Sequence, residues 1–478
     1  MKKIFLILFP LALLTACVDS LDDYNIDQKR ASLVPARTLF TNGIKGVTDN
    51  ITTPSVNSNN FRLFVQQWTT TTYLNEPRYN MVARTYSQTF WQGIYRDALS
   101  DFKEARRLVD EDLLLDPVIK NNQLALIGIM EVYSWSVLVN TFGDIPYSDA
   151  LDPLKPLPKY DDAATIYSDL LTRLDVALGQ LTPGVATFGT GDVLYAGSAA
   201  QWVKFGNSLK LKLAMTLVDV DPNNAKTLVE QAAANVLASN ADNAIFKYTA
   251  SPNNNPISQN LNPIFTSRED FVAASTVVDP MNTLNDPRRP FYFTQVAGSY
   301  VGGKYGFSNT YAEFSHASDK IIAATFEALL MDYAEVEFLL AEAGERGFTV
   351  SGTAAEHYTK GITASILYWG GTQAQADTYV AQPDVAYATA AGDYKEKIGF
   401  QKWLALYNRG WEAWNEWKRL DAPNLVPPSG EGIVTELKIP VRMIYPVSEQ
   451  TQNGAQRSAA AAAIGSDEPT TKLFWDVN

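Results

Sequence analysis

Apolar side chains recur at three- and four-residue spacing along most of this chain, and the helices they predict follow one another in pairs. Phe90, Ile94, Ala98 and Phe102 mark one face of a helix within 81–110. Leu126, Ile129, Met130, Tyr133 and Val137 do the same over 118–141, where apolar positions spread to several sides. That spread predicts a helix buried between neighbours. Gly128 within it lowers helix propensity but permits close backbone approach. The sequence Gly-Asp-Ile-Pro-Tyr at 143–147 stops this helix, and prolines 153, 156 and 158 punctuate the next stretch of chain. Further helices are expected over 161–181, 198–219 and 223–239, then over 325–346, 354–369 and 394–420. Ser198 and Gln201 fit a capping box at the start of one of them.

Helix pairs joined by short turns point to an all-α dominated, tetratricopeptide-like scaffold. The repeats are degenerate, so periodicity alone does not decide for it. Residues 247–320 break the pattern with prolines 252, 256, 263, 280, 287 and 290 and many Asn, Gly and Tyr. They read as a loop-rich insertion with short strands, such as 291–296, and long loops within a compact body are usually functional. The expected organisation is a single body over 32–478: helical at 32–246, loop-rich at 247–320, helical at 321–420 and irregular at 421–478.

The N-terminus has a different pattern. Lys2 and Lys3 precede an apolar run at 4–14 that is too short to span a bilayer, and Leu14-Thr15-Ala16-Cys17 ends it. Small residues before a cysteine form a lipobox. Cleavage before Cys17 and acylation of its thiol and its new amine would give a stable anchor, since a single acyl chain holds only marginally. Residues 1–16 are thus expected to be a signal peptide, and 17–31 a lipidated cysteine with an acidic tether carrying Asp19, Asp22 and Asp23. Cys17 is the only cysteine, so no intrachain disulfide is available. No later unbroken apolar run is long enough to span a membrane. The formal net charge is −13, and it becomes more negative once Lys2 and Lys3 leave. An acidic body argues against nucleic-acid binding and against adhesion to anionic lipid.

Catalytic motifs are scarce. No G-x-S-x-G occurs, and the two histidines, His316 and His357, do not form H-E-x-x-H. Gly298 to Lys304 fits G-x-x-x-x-G-K, but Tyr305 stands where a phosphate-binding loop needs Ser or Thr. It reads as a glycine loop. No D-x-D-x-D-G loop appears, and no cofactor or metal is expected, although the sequence does not decide whether calcium helps shape a site. Asp332, Glu335, Glu337 and Glu342 crowd one helix. Paired carboxylates cleave glycosides, so a helical glycoside hydrolase stays open. Their alternation with Leu330, Tyr333, Val336, Leu339 and Leu340 reads instead as a solvated or turn-facing polar face.

Aromatic residues are abundant and fall into two classes. Trp403, Tyr407, Trp411 and Trp414, with Leu404, recur at helical spacing and read as a packed face. Others lie in polar, loop-like surroundings: Trp68, Tyr73 and Tyr79 in one cluster, Tyr300, Tyr305 and Tyr311 in another. A pyranose ring has apolar C–H faces and polar edges, so it calls for flat aromatic platforms with amides and guanidinium groups at the rim. Asn75, Arg78 and Asn309 are placed to serve as that rim. Each loop aromatic alone reads equally well as a pin holding its loop to the body. The two clusters together point to a binding site.

Several segments resemble the SusD/RagB lipoproteins, and in particular their SusD-like nutrient-binding subgroup. They are Trp91-Gln-Gly-Ile-Tyr-Arg-Asp-Ala-Leu-Ser-Asp-Phe-Lys-Glu-Ala105, Gly143-Asp-Ile-Pro-Tyr-Ser-Asp149, Asp286-Pro-Arg288, and Met331 through Ala343. Lys402 through Tyr407 with Glu412-Ala-Trp414, and Ile439-Pro-Val-Arg442 with Tyr445-Pro446, complete the set. The resemblance runs over essentially the whole chain and rests on the order and spacing of these segments. It implies a tetratricopeptide-like scaffold with irregular segments laid over it, and a place on the outer face of an outer membrane of the Bacteroidota type. It also implies a non-enzymatic role as a lid on a SusC-type TonB-dependent transporter, capturing a glycan or related nutrient and delivering it to the barrel. Peptide cargo is the alternative within the same family. The acidic stretch after Cys17 resembles the surface-export signal of such lipoproteins, although Leu21 interrupts it. Ligand residues vary within the family, so none is carried over, and the aromatic signature segments read as scaffold.

Overall fold

The computed structural model describes residues 34–433 and 436–477, so Cys17, the signal sequence and the tether lie outside the described residues. The longer helices, in chain order, are α1 (Ala36–Thr52), α2 (Tyr86–Ile94), α3 (Ser100–Glu111), α4 (Pro117–Phe142), α5 (Ala163–Gln180), α6 (Ala199–Thr216) and α7 (Pro222–Ala232). After them come α8 (Ser275–Thr283), α9 (Tyr333–Glu345), α10 (Ala354–Trp369), α11 (Gln373–Val380), α12 (Tyr394–Ala405), α13 (Gly410–Leu420) and α14 (Gly454–Ala463). Neighbours in sequence pack against each other: α3 with α4, α4 with α5, α6 with α7, α9 with α10, and α12 with α13. The fold is therefore helix-dominated and built of helix pairs.

The apolar spacing accounts for the packing. Phe90, Ile94, Ala98 and Phe102 are all fully buried, on a rod in which α2 and α3 are joined by a π-helical segment, Tyr95–Leu99. Against this rod lies α1, and any Cβ at Gly46 would strike the Asp97 backbone, so glycine permits that approach. At the centre is α4. Asp116 caps it by accepting from the backbone N–H groups of Val118 and Ile119, with Pro117 in the first turn. Gly143 ends it at φ +86°, a conformation that favours glycine. By length and composition α4 could cross a bilayer, yet 94% of its most apolar window is buried inside the protein. A Cβ on Gly128 would sit 3.3 Å from the Ala177 Cβ of α5, the close approach expected there.

Three expected elements differ from the structure. Residues 325–346 are a strand followed by a helix. Six short strands occur among the described residues: β1 (Trp68–Thr70), β2 (Ile145–Pro146), β3 (Tyr160–Asp161), β4 (Ala244–Phe246), β5 (Phe271–Ala273) and β6 (Ala328–Met331). They pair antiparallel as β1–β5, β2–β3 and β4–β6. Pairing with β4 draws Ala328–Met331 out of the helix, and Asp332 then caps α9 by accepting from Glu335 N at 2.9 Å. Residues 394–420 are two helices, not one. The chain turns at 406–409, with Asn408 at φ +69° and its Oδ1 accepting from Arg62 Nε at 2.9 Å. Residues 291–296 are not a strand, because Arg289–Tyr292 closes a helical turn and only isolated bridges come after it. Two helices lie where irregular chain was expected: α8 in the loop-rich insertion and α14 in the proline-rich tail. The tail is strapped down at Arg442, which donates from Nη2 to Phe142 O at 3.0 Å, and by Trp414 Nε1 donating to Pro440 O at 2.7 Å. Ser198 caps α6, accepting from Gln201 N at 3.4 Å, which is one half of the expected capping box; its own N–H goes to Tyr195 O instead.

Candidate functional site

The two loop clusters singled out in the sequence meet in space. Strand β1 pairs with β5, with Trp68 opposite Ala273. Beside them runs the segment 300–311: Gly303 N donates to Ala273 O at 2.8 Å, and Asn309 N donates to Thr71 O at 3.1 Å. Arg78 Nε donates to Gly306 O at 2.9 Å, which ties the clusters together at their far end.

Eight of the nine candidate residues lie at this junction, and they divide sharply. Trp68, Tyr79, Tyr305 and Asn309 are buried. Trp68 donates from Nε1 to the Tyr407 hydroxyl at 3.0 Å. Tyr305 donates to Leu63 O at 2.6 Å, and its ring lies 6.3 Å from that of Tyr79. The Asn309 amide donates to Thr70 O at 3.0 Å and Phe307 O at 2.7 Å. Burial pushes the Tyr79 hydroxyl up to about 12. These four hold loops to the body and offer no open ring face.

The others reach the surface. Tyr73 is 41% exposed, with the Arg84 guanidinium 5.2 Å over its ring. Asn75 is exposed, and Arg78 is half-buried, 5.7 Å over the ring of Phe307. Tyr311 stacks on His316 at 4.3 Å and 10°. Burial, then the charge of Glu269, pushes the Tyr311 hydroxyl up to about 12. Sequence reasoning missed two members of this face. Phe307 is half-buried with the Lys304 ammonium 3.7 Å over its ring, and Phe265 is 45% exposed in the loop leading into β5. The signal for both was present, since each is an aromatic amid Ser, Thr and Asn in the same insertion. Tyr73, Phe307 and Tyr311 thus border the β1–β5 end, with Arg78, Lys304 and Asn75 among them and Phe265 in the loop that leads into β5. Such a face can stack rings and donate hydrogen bonds around them. Tyr300 stands apart, at the other end of α8, where Asn282 Nδ2 donates to its carbonyl at 2.9 Å.

The helix carboxylates are not solvated or turn-facing. Asp332, Glu335, Glu337 and Glu342 are all buried. Glu335 lies 2.8 Å from Lys212 and 2.7 Å from Arg409, and Arg409 also lies 3.1 Å from Asp332. Glu342 meets Arg419 at 2.6 Å and Arg346 at 2.9 Å, while Glu337 meets His357 at 2.6 Å. From α12 and α13, Lys402 and Arg419 share Glu416 at 2.7 and 2.6 Å. Burial raises the Glu335 carboxyl, but the charges of Lys212, Arg409 and Lys402 overcome it and hold the group at about 2. Burial outweighs the same cations at Asp332 and Glu412, whose carboxyls are raised. This layer explains why the α9, α12 and α13 signature segments are dense in charge: they are joined inside. The glycine loop at 298–304 runs into a turn at Tyr305 and Gly306 and opens no helix, and its lysine covers Phe307. Among the described residues no group of three or more His, Asp or Glu could hold a metal ion.

A family model described as "Starch-binding associating with outer membrane", of SusD-like type, matches residues 28–446. The chain belongs to this SusD-like family. Solved structures agree along nearly its whole length. A chitin-binding protein superposes with a TM-score of 0.80 at 27% identity, covering 92% of this chain and 99% of that one. A chitin-binding SusD homolog from Flavobacterium johnsoniae gives 0.75 at 25% identity, covering 92% and 99%. A SusD homolog from Bacteroides uniformis gives 0.77 at 25%, with the same coverage. No protein of curated function matches the chain.

Proposed function

We propose that this chain is a surface-exposed lipoprotein that binds a glycan and hands it to a SusC-type TonB-dependent barrel, without cleaving it. The observation that carries the reading is the near full-length likeness to two chitin-binding relatives within a starch-binding family. The half-exposed aromatic rim at the β1–β5 end supports it, because flat rings bordered by Arg78, Lys304 and Asn75 suit a pyranose. Against a glycoside hydrolase stands the burial of the helix carboxylates: a group already bridged to Lys212 or Arg409 is not free to protonate a leaving oxygen. Cleavage before Cys17 and lipidation of its thiol, with the acidic tether behind it, would hold the body at the outer membrane while leaving it free to swing.

The test is calorimetric titration of the purified protein with chitin, starch and other oligosaccharides. Binding is expected for at least one, with Tyr73→Ala and Tyr311→Ala each weakening it on the order of tenfold and the recovered ligand intact. Failure of every glycan with the fold preserved would overturn the reading and leave a peptide cargo. In cells, Cys17→Ala should leave binding unchanged and abolish delivery, and uptake that survives it would remove the tether from the mechanism.

A further inference from the structure

Tyr300 lines a separate groove. It opens between the end of α8 and α11, has a volume of 710 Å³, and is bordered by Asn285, Pro287, Arg289, Tyr300, Thr378 and Gln382. It lies at the C-terminal end of α8, whereas the aromatic rim lies beyond the N-terminal end. One side of the Tyr300 ring is held by the Arg289 guanidinium, 5.5 Å from its centroid. Arg289 is itself fixed by three hydrogen bonds: Nε to Asp286 O at 3.0 Å, Nη1 to Asn282 Oδ1 at 3.1 Å and Nη2 to Asn285 Oδ1 at 3.3 Å. This leaves one N–H free on each terminal nitrogen. Gln382 spends its Nε2 on Leu284 O at 2.9 Å, which leaves its Oε1 to accept.

The charge of the groove is unusual for so acidic a chain. Arg289 has no carboxylate partner among the described residues. The one acid on the lining, Asp286, is fully buried and bound to Arg288 at 2.6 Å. A rigid aromatic platform, amides and an uncompensated guanidinium therefore converge on one open groove.

We infer that this groove is a second carbohydrate subsite, selective for a sugar that carries a carboxylate. A pyranose ring packs against Tyr300 on the side that Arg289 borders, and its carboxylate takes the two free Arg289 N–H groups. Planar guanidinium groups match carboxylates in this bidentate way. Asn285 and Gln382 meet ring hydroxyls. The inference rests on the glycan-binding reading above and adds a second site and a ligand class.

The experiment titrates the purified full chain with a galacturonic acid hexamer and with neutral hexamers of glucose and N-acetylglucosamine. The uronate hexamer is expected to bind, with affinity falling as salt rises. Tyr300→Ala should weaken it at least tenfold, and Tyr300→Phe, which keeps the platform, less than threefold. Arg289→Gln should erase the preference for uronate over neutral sugar. Tyr73→Ala, at the other site, should weaken the neutral hexamers and leave the preference for uronate in place. Uronate binding no tighter than neutral, or indifferent to Tyr300→Ala, overturns the inference. If neutral hexamers still bind and respond to Tyr73→Ala, only the second site fails. If no hexamer binds, the glycan reading fails and this site with it.

Discussion

The charged layer joining α9, α12 and α13 and the aromatic rim at the β1–β5 end are opposites in their use of side chains. In the first, carboxylates and guanidinium groups sit inside the protein, each facing an opposite charge. In the second, large rings remain at the surface beside cations and amides. Hydropathy alone would exchange the two. What decides is partnering: a buried charge is tolerated when it is paired and hydrogen-bonded, and a ring stays outside when the loop beneath it is pinned by other rings. Trp68, Tyr79 and Tyr305 supply those pins, and Tyr73, Phe307 and Tyr311 stand on them.

The sharpest way to break the comparison is to remove a cation from the inner layer. Arg409 lies between Asp332 and Glu335, so Arg409→Leu takes the cation from buried Asp332 and leaves Glu335 with Lys212 alone. The expected loss is about 3–5 kcal/mol in denaturant unfolding. A loss under about 1 kcal/mol would mean that water reaches the layer and that the two regions differ less than their burial indicates.

The second effect is a pH dependence confined to the inner layer. Glu335 is held at about 2, below its ordinary 4.5, so its contribution is complete above about 4.5 and is lost as pH falls from there towards 2. Full loss amounts to about 3 kcal/mol. Glu416 is likewise depressed: burial raises it, but Arg419 and Lys402 more than reverse that. Asp332 and Glu412 act with the opposite sign, since burial disfavours their ionised forms and acid relieves that cost. Glu335→Gln should therefore destabilise the protein at neutral pH, and the gap to the unaltered protein should close between about pH 4.5 and 2. A gap that stays constant with pH would show that Glu335 is not the group titrating.

Much of this arrangement was legible in the sequence, and the failures share a cause. The periodic faces of α2–α3 and α4 were plain because helix packing is local in its pattern. The break between α12 and α13 was hidden because it depends on Asn408 meeting Arg62, over three hundred residues away. Pairing with β4 likewise drew Ala328–Met331 out of an apparently continuous helix. The carboxylates of α9 read as exposed because nothing local announces Lys212 or Arg409. The two loop clusters meet in space, yet sequence could not separate pin from platform. Trp68 and Tyr73 sit in near-identical surroundings along the chain, and only the pairing of β1 with β5 turns one inward.

That last distinction gives the smallest and most discriminating effect. Tyr305 and Tyr73 are both loop tyrosines, but the Tyr305 hydroxyl donates to Leu63 O while the Tyr73 ring is open to solvent. Tyr305→Phe removes a buried hydrogen bond and should cost about 1 kcal/mol of stability. Tyr73→Ala deletes an exposed side chain and should change stability by no more than about 0.5 kcal/mol, while weakening glycan binding on the order of tenfold. Measured together by unfolding and titration, the two substitutions separate what each ring does. If Tyr73→Ala destabilised the fold as much as Tyr305→Phe, or left binding untouched, Tyr73 would join the pins. The rim would then shrink to Phe307, Tyr311 and Phe265, and a sugar chain would have to lie along the 304–311 side of the strands.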